Sequence, residues 1–283
     1  MAKLIFWLGA LLAASTLASV AAAETISAPK VIIDGSVPLQ YETNATRTPN
    51  KQPDYVFSPF LRLSATGQLM NDFVYSLYAN TTGDEDIKLT DEDTTQAAAG
   101  LQISRAWGAF RLGASYERTN YYNSIYGSQL NSANDVQVFA RYNYMNPDGD
   151  VKITPSFSVT TRADDHFTVQ RNLFRFRADF EHRLGDSNWW IFAAPSLRIY
   201  DYTSGRLDDI YSIATGLRYE ITRDVSLTSS IAYESRVSSE PGRNYTNMIV
   251  GLSLDFSYTL FGGGGSNKTL EPTVCENPLR LLC

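Results

Sequence analysis

The chain is short of several things that common protein classes require. It has 2 Cys and 2 His in 283 residues, too few for a disulfide scaffold and leaving little imidazole for acid–base chemistry. Lysine is scarce, and acids outnumber bases by 30 to 24 with a pI near 5.0, which excludes a basic nucleic-acid binder. No apolar run of 18 residues occurs after Ala23, so nothing beyond that point can cross a bilayer as a helix. No long amphipathic helix can be traced after the first 25 residues either. Low charge (19%) and 43% apolar residues exclude a disordered chain. What is plentiful is aromatic: 17 Tyr and 14 Phe.

Residues 1–23 read as a cleaved signal peptide. Lys3 is their only charge, Leu4 to Leu8 open an apolar run, and Ala21-Ala22-Ala23 supplies the small residues that signal peptidase accepts. The expectation is a protein exported from the cytoplasm. With helices excluded, the remaining structure that satisfies every backbone group in lipid is a closed β-barrel. The rest of the chain is therefore tested for two-residue alternation.

It alternates. Met248, Val250, Leu252, Leu254, Phe256, Tyr258 and Leu260 share one parity, against Asn247, Gly251, Ser253, Asp255 and Ser257. Val225, Leu227, Ile231 and Tyr233 oppose Ser226, Thr228, Ser230, Glu234 and Arg236, and Phe174, Phe176, Ala178 and Phe180 oppose Arg175, Arg177, Asp179 and Glu181. Residues 151–159 repeat the pattern, and weaker copies lie at 33–43, 54–65, 71–81, 95–105, 109–119, 134–145, 187–202 and 208–221. Twelve segments predict an all-β, antiparallel transmembrane barrel over 24–261, an even count that leaves both ends on one side. Turn chemistry marks one side at Asn146-Pro147-Asp148-Gly149, Gly185-Asp186-Ser187 and Thr222-Arg223-Asp224, while 44–53, 82–94 and 120–133 read as longer outer loops. Aromatic pairs at Tyr142/Tyr144, Trp189/Trp190, Tyr200/Tyr202 and Tyr258/Phe261 are expected to form interfacial girdles. A soluble sandwich or lipocalin-like barrel is the alternative; its apolar parity would point inward onto a core.

The run 216–227, a later Tyr233-Glu234 and the closing strand resemble bacterial outer-membrane β-barrel proteins, and in particular the beta-barrel porin group of proteobacteria, sometimes linked to surface-polysaccharide loci. The likeness implies a cell outer membrane location, with membrane lipid, lipopolysaccharide and the barrel-insertion machinery as partners. The strand ending at Phe261 is similar to the terminal signal such proteins present to that machinery, but here 262–283 follow it.

If the apolar parity faces lipid, the other parity lines the lumen. It holds Arg62, Arg111, Arg141, Lys152, Arg162, Arg175, Arg177, Arg183, Arg198, Arg218 and Arg236, against Glu117, Asp179, Glu181, Glu220, Glu234 and Asp255. Bases exceed acids in that set, although the chain as a whole is negative. The primary expectation is a narrow, anion-preferring, porin-like channel for a small anionic solute such as an acidic saccharide, or for surface-polysaccharide export. The alternative is a non-transporting structural or adhesive barrel with a salt-bridged lumen, its outer loops binding a partner. A third reading is similar to omptin-type surface proteases, from Asp164 and His166 facing the acids Asp84, Asp86, Asp91 and Asp93 across outer loops. No enzyme, cofactor or resident metal is expected, and a solvated surface is the plainer account of the acidic 84–93 segment. Residues 262–283 read as a Gly-rich flexible tail, in which Cys275 and Cys283 are expected to form a small disulfide loop, or else to join two chains.

Overall fold

A computed structural model describes residues 29–69, 72–89, 93–123, 127–164 and 170–262. The expected signal peptide, the two cysteines, His166, Asp91 and all of the tail except Gly262 lie outside these residues. The described chain is all β: β1 (Lys30–Glu42), β2 (Asp54–Phe57), β3 (Phe60–Leu69), β4 (Phe73–Asp86), β5 (Thr94–Trp107), β6 (Phe110–Asn123), β7 (Gln129–Tyr142), β8 (Tyr144–Met145), β9 (Val151–Asp164), β10 (Arg171–Arg183), β11 (Trp189–Tyr202), β12 (Leu207–Glu220), β13 (Val225–Ser238) and β14 (Tyr245–Phe261).

Every ladder is antiparallel. Twelve strands pair in the order β1-β3-β4-β5-β6-β7-β9-β10-β11-β12-β13-β14, and β14 returns to β1 along a register running from Val31↔Phe261 to Glu42↔Ile249. The barrel is therefore closed, with β2 and β8 as two short additional strands. β2 and β3 together occupy the place expected for one strand over 54–65. Proline has no N–H to give the ladder, so the chain breaks at Ser58-Pro59; Ser58 N–H donates to Pro38 O (3.4 Å) and Gly83 N–H to Pro59 O (3.1 Å) across the gap.

The strands are longer than the alternation suggested. β4 runs on to Asp86, β6 to Asn123, and β7 begins at Gln129, so strand takes up the first residues of the loop expected at 82–94 and most of that expected at 120–133. Beyond the apolar band both faces can be polar while backbone pairing continues, so the ladder outlasts the hydrophobic signal that marks it. Two outer connections, 203–206 and 239–244, are short as well.

Burial is inverted relative to a water-soluble barrel. Val37, Leu39, Leu61, Leu63, Ile213, Ile231, Val250 and Leu252 are exposed, while Ser36, Gln40, Ser64, Gln102, Thr228, Glu234 and Asn247 on the opposite parity are buried. Apolar side chains on the outside need hydrocarbon around them, which rules out the soluble alternative. Outward rings form two belts: Trp107, Phe110, Tyr142, Tyr144, Trp189 and Tyr258 at the end with the short turns 146–150 and 184–188, and Tyr41, Tyr55, Tyr116, Tyr211 and Tyr233 toward the other. Trp190, Tyr200 and Tyr202 do not join them. Their even positions in β11 point into the lumen, so for these the girdle expectation is corrected.

Inside, bulky rings fit because glycine faces them across the ladder. Tyr78 lies opposite Gly100, and a Cβ built on Gly100 would stand 2.5 Å from that ring and 2.7 Å from the Tyr116 carbonyl. Gly100→Val should therefore cost about 1–3 kcal/mol by overpacking. Equilibrium urea unfolding in detergent micelles would read this as a lower midpoint, whereas an unchanged midpoint would mean that the ring moves aside freely.

Candidate pore lumen

Two rules set the interior. Period-2 alternation turns every second residue of each strand inward, and the register stacks those residues in rows around the wall. Side chains opposite one another on adjacent strands then meet, and in a low-dielectric interior charges are tolerated when paired.

At the outer half the 43–53 connection folds into the barrel. Asn44 is fully buried; its N–H donates to Asn247 Oδ1 (2.9 Å) and its Nδ2 to Thr48 O (2.8 Å) and Thr246 O (3.2 Å). Arg47 and Lys51 both adopt left-handed backbone, at φ 50° and 42°, which is uncommon for side-chain-bearing residues and costs about 1–3 kcal/mol each. That conformation brings the Arg47 Nη2 to 3.2 Å from Glu42 and its Nε to 3.5 Å from Glu234. Burial alone would lower the Arg47 guanidinium, but Glu42 and Glu234 outweigh it and hold the group well above its ordinary value. Glu234 also pairs with Arg198 and accepts from Tyr245 OH (2.6 Å), while Asn247 Nδ2 donates to Glu42 (2.7 Å).

Below this network, Ala194, Ala214, Ala232 and Ile249 follow one another in register across β11 to β14, each nearly or fully buried. They form a small buried apolar cluster on that side of the inner wall. Toward the turn end the lumen opens into a cavity of about 490 Å³ lined by Arg62, Arg141, Lys152, Arg177, Arg218, Asp34, Glu181 and Asp255 among others.

The inward residues expected from the sequence all take lumen-facing positions, but pairing alters what they amount to. Arg218 holds Glu181 with two bonds (3.1 and 2.9 Å) and lies 4.0 Å from Glu220; Arg177 holds Asp179 (Nε–Oδ1 2.8 Å); Arg198 pairs with Glu234 and Arg236 with Asp208. Arg62 stacks on Tyr78 with its guanidinium carbon 3.9 Å from the ring centre. Arg111 and Arg141 face each other across β6 and β7. Arg162 forks onto Asp135 (2.8 and 2.6 Å), Lys152 reaches Glu181 (4.0 Å), and Arg183 donates to Ser187 O (2.7 Å).

The expected positive excess all but vanishes. Asp34, Glu42, Asp84, Asp135, Asp164 and Asp208 also occupy interior positions, as does Arg171, and parity misses them because each lies at or beyond the end of a segment that the alternation marks. Arg47 was missed as a loop residue. Trp190 was missed as half of an aromatic pair, although its parity matches that of Arg198. It is buried in the lumen with Lys152 Nζ 4.6 Å, and the Arg218 and Arg183 guanidinium carbons 5.4 and 5.9 Å, from its ring.

Two cations stand apart. Arg171 lies over Tyr200 (5.0 Å) and Tyr202 (5.6 Å), and Arg175 sits directly across from Arg198 with a buried Nε that has no hydrogen-bond partner. Neither is paired with a carboxylate among the described residues.

A closed twelve-stranded wall, apolar outside and charged within, is the architecture that crosses an outer membrane. The protein has a porin-like outer-membrane barrel fold. Residues 160–258 of the barrel match the family model described as "Putative beta-barrel porin 2". No curated protein matches the sequence. The barrel is similar to the COG4313 outer membrane channel from Pseudomonas putida F1, at 9% identity and a TM-score of 0.54, with 83% of this chain and 97% of that chain covered. It is also similar to KdgM porin (11% identity, TM-score 0.42, 78% and 99% covered) and to an anion-selective porin from Comamonas acidovorans (10%, 0.41, 83% and 100%).

Among the described residues, no group of three or more His, Cys, Asp or Glu side chains is arranged to hold a metal. Two of the described acids of the 84–93 segment are engaged locally. Asp84 accepts from Ser58 Oγ (2.6 Å), Asp93 from the Asp86 N–H (2.8 Å), and nearby Asp54 from the N–H groups of Lys88 and Leu89 (2.8 Å each).

Replacing Arg47 by Ala should release the 43–53 connection, since the two ion pairs that offset its strained backbone would be gone. Proteinase K added to the refolded barrel should then cut within this connection while the barrel itself stays intact. Continued resistance would mean that Asn44 alone holds it.

Proposed function

We propose that this barrel is a narrow, anion-preferring channel for small acidic saccharides. The observation that carries the proposal is the Arg171–Arg175 stretch of the β10 wall, beside Arg198, Tyr200 and Tyr202. Guanidinium groups without carboxylate partners attract anions, and their planar forks match carboxylates in a way lysine does not. Flanking tyrosine rings offer flat surfaces and hydroxyls, which suit a sugar. The ion pairs of Arg162, Arg177, Arg198 and Arg218 cancel locally, so Arg171 and Arg175 dominate the potential a solute meets at the outer end of this wall. The barrel acts by passage of solute, and no catalytic step is assigned to it.

A second reading, a non-transporting structural or adhesive barrel, is favoured by the inward-folded 43–53 connection and its Glu42–Arg47–Glu234–Arg198 network. The two readings differ in planar bilayers. A channel gives single-channel steps that favour anions, and Arg171→Glu with Arg175→Glu should cut the anion-to-cation permeability ratio about ten-fold, the low end for a charge-focusing cleft. Correctly inserted protein without ion-selective steps would leave the structural reading in possession.

A further inference from the structure

We propose that Arg118, oriented by the buried Ser132 and flanked by Asn134, forms a site on the outer wall of the barrel for a phosphate group of an outer-leaflet glycolipid of the lipid A type. This rests on the reading that the barrel lies in an outer membrane.

Nearly all strand arginines point inward; Arg105 and Arg118 are the two that face outward. Arg105 has ready partners at the turn end of the barrel. It lies 3.4 Å from Asp72 and stacks on Phe73 and Trp107, at 5.2 and 5.0 Å. Arg118 has no such company. It is exposed, and its guanidinium donates to Ser132 Oγ (3.2 Å), which leaves most of its five N–H groups unspent among the described residues. Its acidic neighbours face the other way: Glu117 accepts from Thr119 inside the barrel, and Asp135 is taken by Arg162. Residues 119–134, the remainder of the hairpin, contain no acid at all.

Height then identifies the ligand. Arg118 is eight residues along β6 from Phe110, which belongs to the turn-end girdle. At about 3.3 Å per residue and a tilt of about 40°, that is ~20 Å up a wall whose apolar band is ~25 Å tall. The long side chain therefore reaches the headgroups of the opposite leaflet, where a lipid-facing arginine costs far less than at the midplane.

The surroundings suit a phosphate carried on acyl chains. Asn134 lies opposite Arg118 in register; its Oδ1 accepts from Tyr116 OH (2.8 Å), leaving its Nδ2 as a second donor beside the guanidinium. On the other flank Ala97 and Ala99 pair with Asn120 and Arg118, and their small side chains leave room for a headgroup. Below, Leu77, Leu101, Tyr116 and Val136 are exposed and offer acyl chains an apolar wall. Free phosphate in water would not meet such a site; a lipid-borne one would.

The test uses the full-length chain in phosphatidylcholine nanodiscs, with or without bisphosphorylated lipid A. Lipid A should raise the unfolding midpoint of the wild type and of Arg105→Ala. Arg118→Gln should match the wild type in phosphatidylcholine alone but bind lipid A at least about ten-fold more weakly, as expected for loss of a charge-assisted contact. Dephosphorylated lipid A should give the wild type no increment. An undiminished response of Arg118→Gln, or an equal response of the wild type to dephosphorylated lipid A, overturns the proposal. A chain that forms no heat-modifiable barrel in phosphatidylcholine overturns the outer-membrane reading, and the site with it.

Discussion

Hydrocarbon offers no partner to a backbone N–H or C=O, so a sheet in a membrane must leave no edge. In this protein that demand is met where β14 returns to β1, more than two hundred residues away in sequence, and pairs with it along almost its whole length. The seam makes every other strand an interior strand. It also explains why a proline can be tolerated at residue 59: the ladder is interrupted there for a few residues only, with Pro38 and Gly83 bridging the break. Once the seam is closed, the two faces of each strand are committed, one to lipid and one to the lumen.

The lumen then has to satisfy its own polar groups. Arginine outnumbers lysine on the inward parity, and its fork forms the two-pronged pairs of Arg162 with Asp135 and Arg218 with Glu181. Removing one partner from such a pair leaves an uncompensated charge, which is costly, so the network stiffens the barrel as it fills it. Outer and inner halves differ in character. The outer half takes in the 43–53 connection, packed along β1, β14 and β13, whereas the turn end keeps a cavity. Against this background the unpaired Arg171 and Arg175 are exceptions, and exceptions among otherwise satisfied charges are where a ligand is best sought.

Much of this could be read from the chain. Alternation in 245–261 and 225–236 is strong because both faces of those strands are uniform, and the sequence parity agrees with the burial over 247–254 and 227–234. The inward position of Arg175, Arg198, Arg218 and Arg236 follows from the same two-residue period. Reading failed at strand ends. Asp84, Asp164 and Asp208 sit where polar residues occupy both faces, and Asp135, though in the middle of β7, lies at the edge of the stretch where alternation is legible, so parity alone did not announce them. Aromatic pairs misled in a related way: adjacent residues on a strand must point to opposite sides, so Trp189 and Trp190 cannot both belong to a girdle.

By itself the sequence determined the class of structure, the number of crossings and which parity meets lipid, because those depend on residues two apart along one strand. Only the tertiary structure decided which charges cancel, that Arg47 is drawn from its loop to Glu42 and Glu234, and that Arg118 is left without a carboxylate on the outer wall. These are questions of register between strands and of a loop's path. An ion pair acts across a few ångströms between residues such as 47 and 234, and no periodicity within a strand encodes that distance.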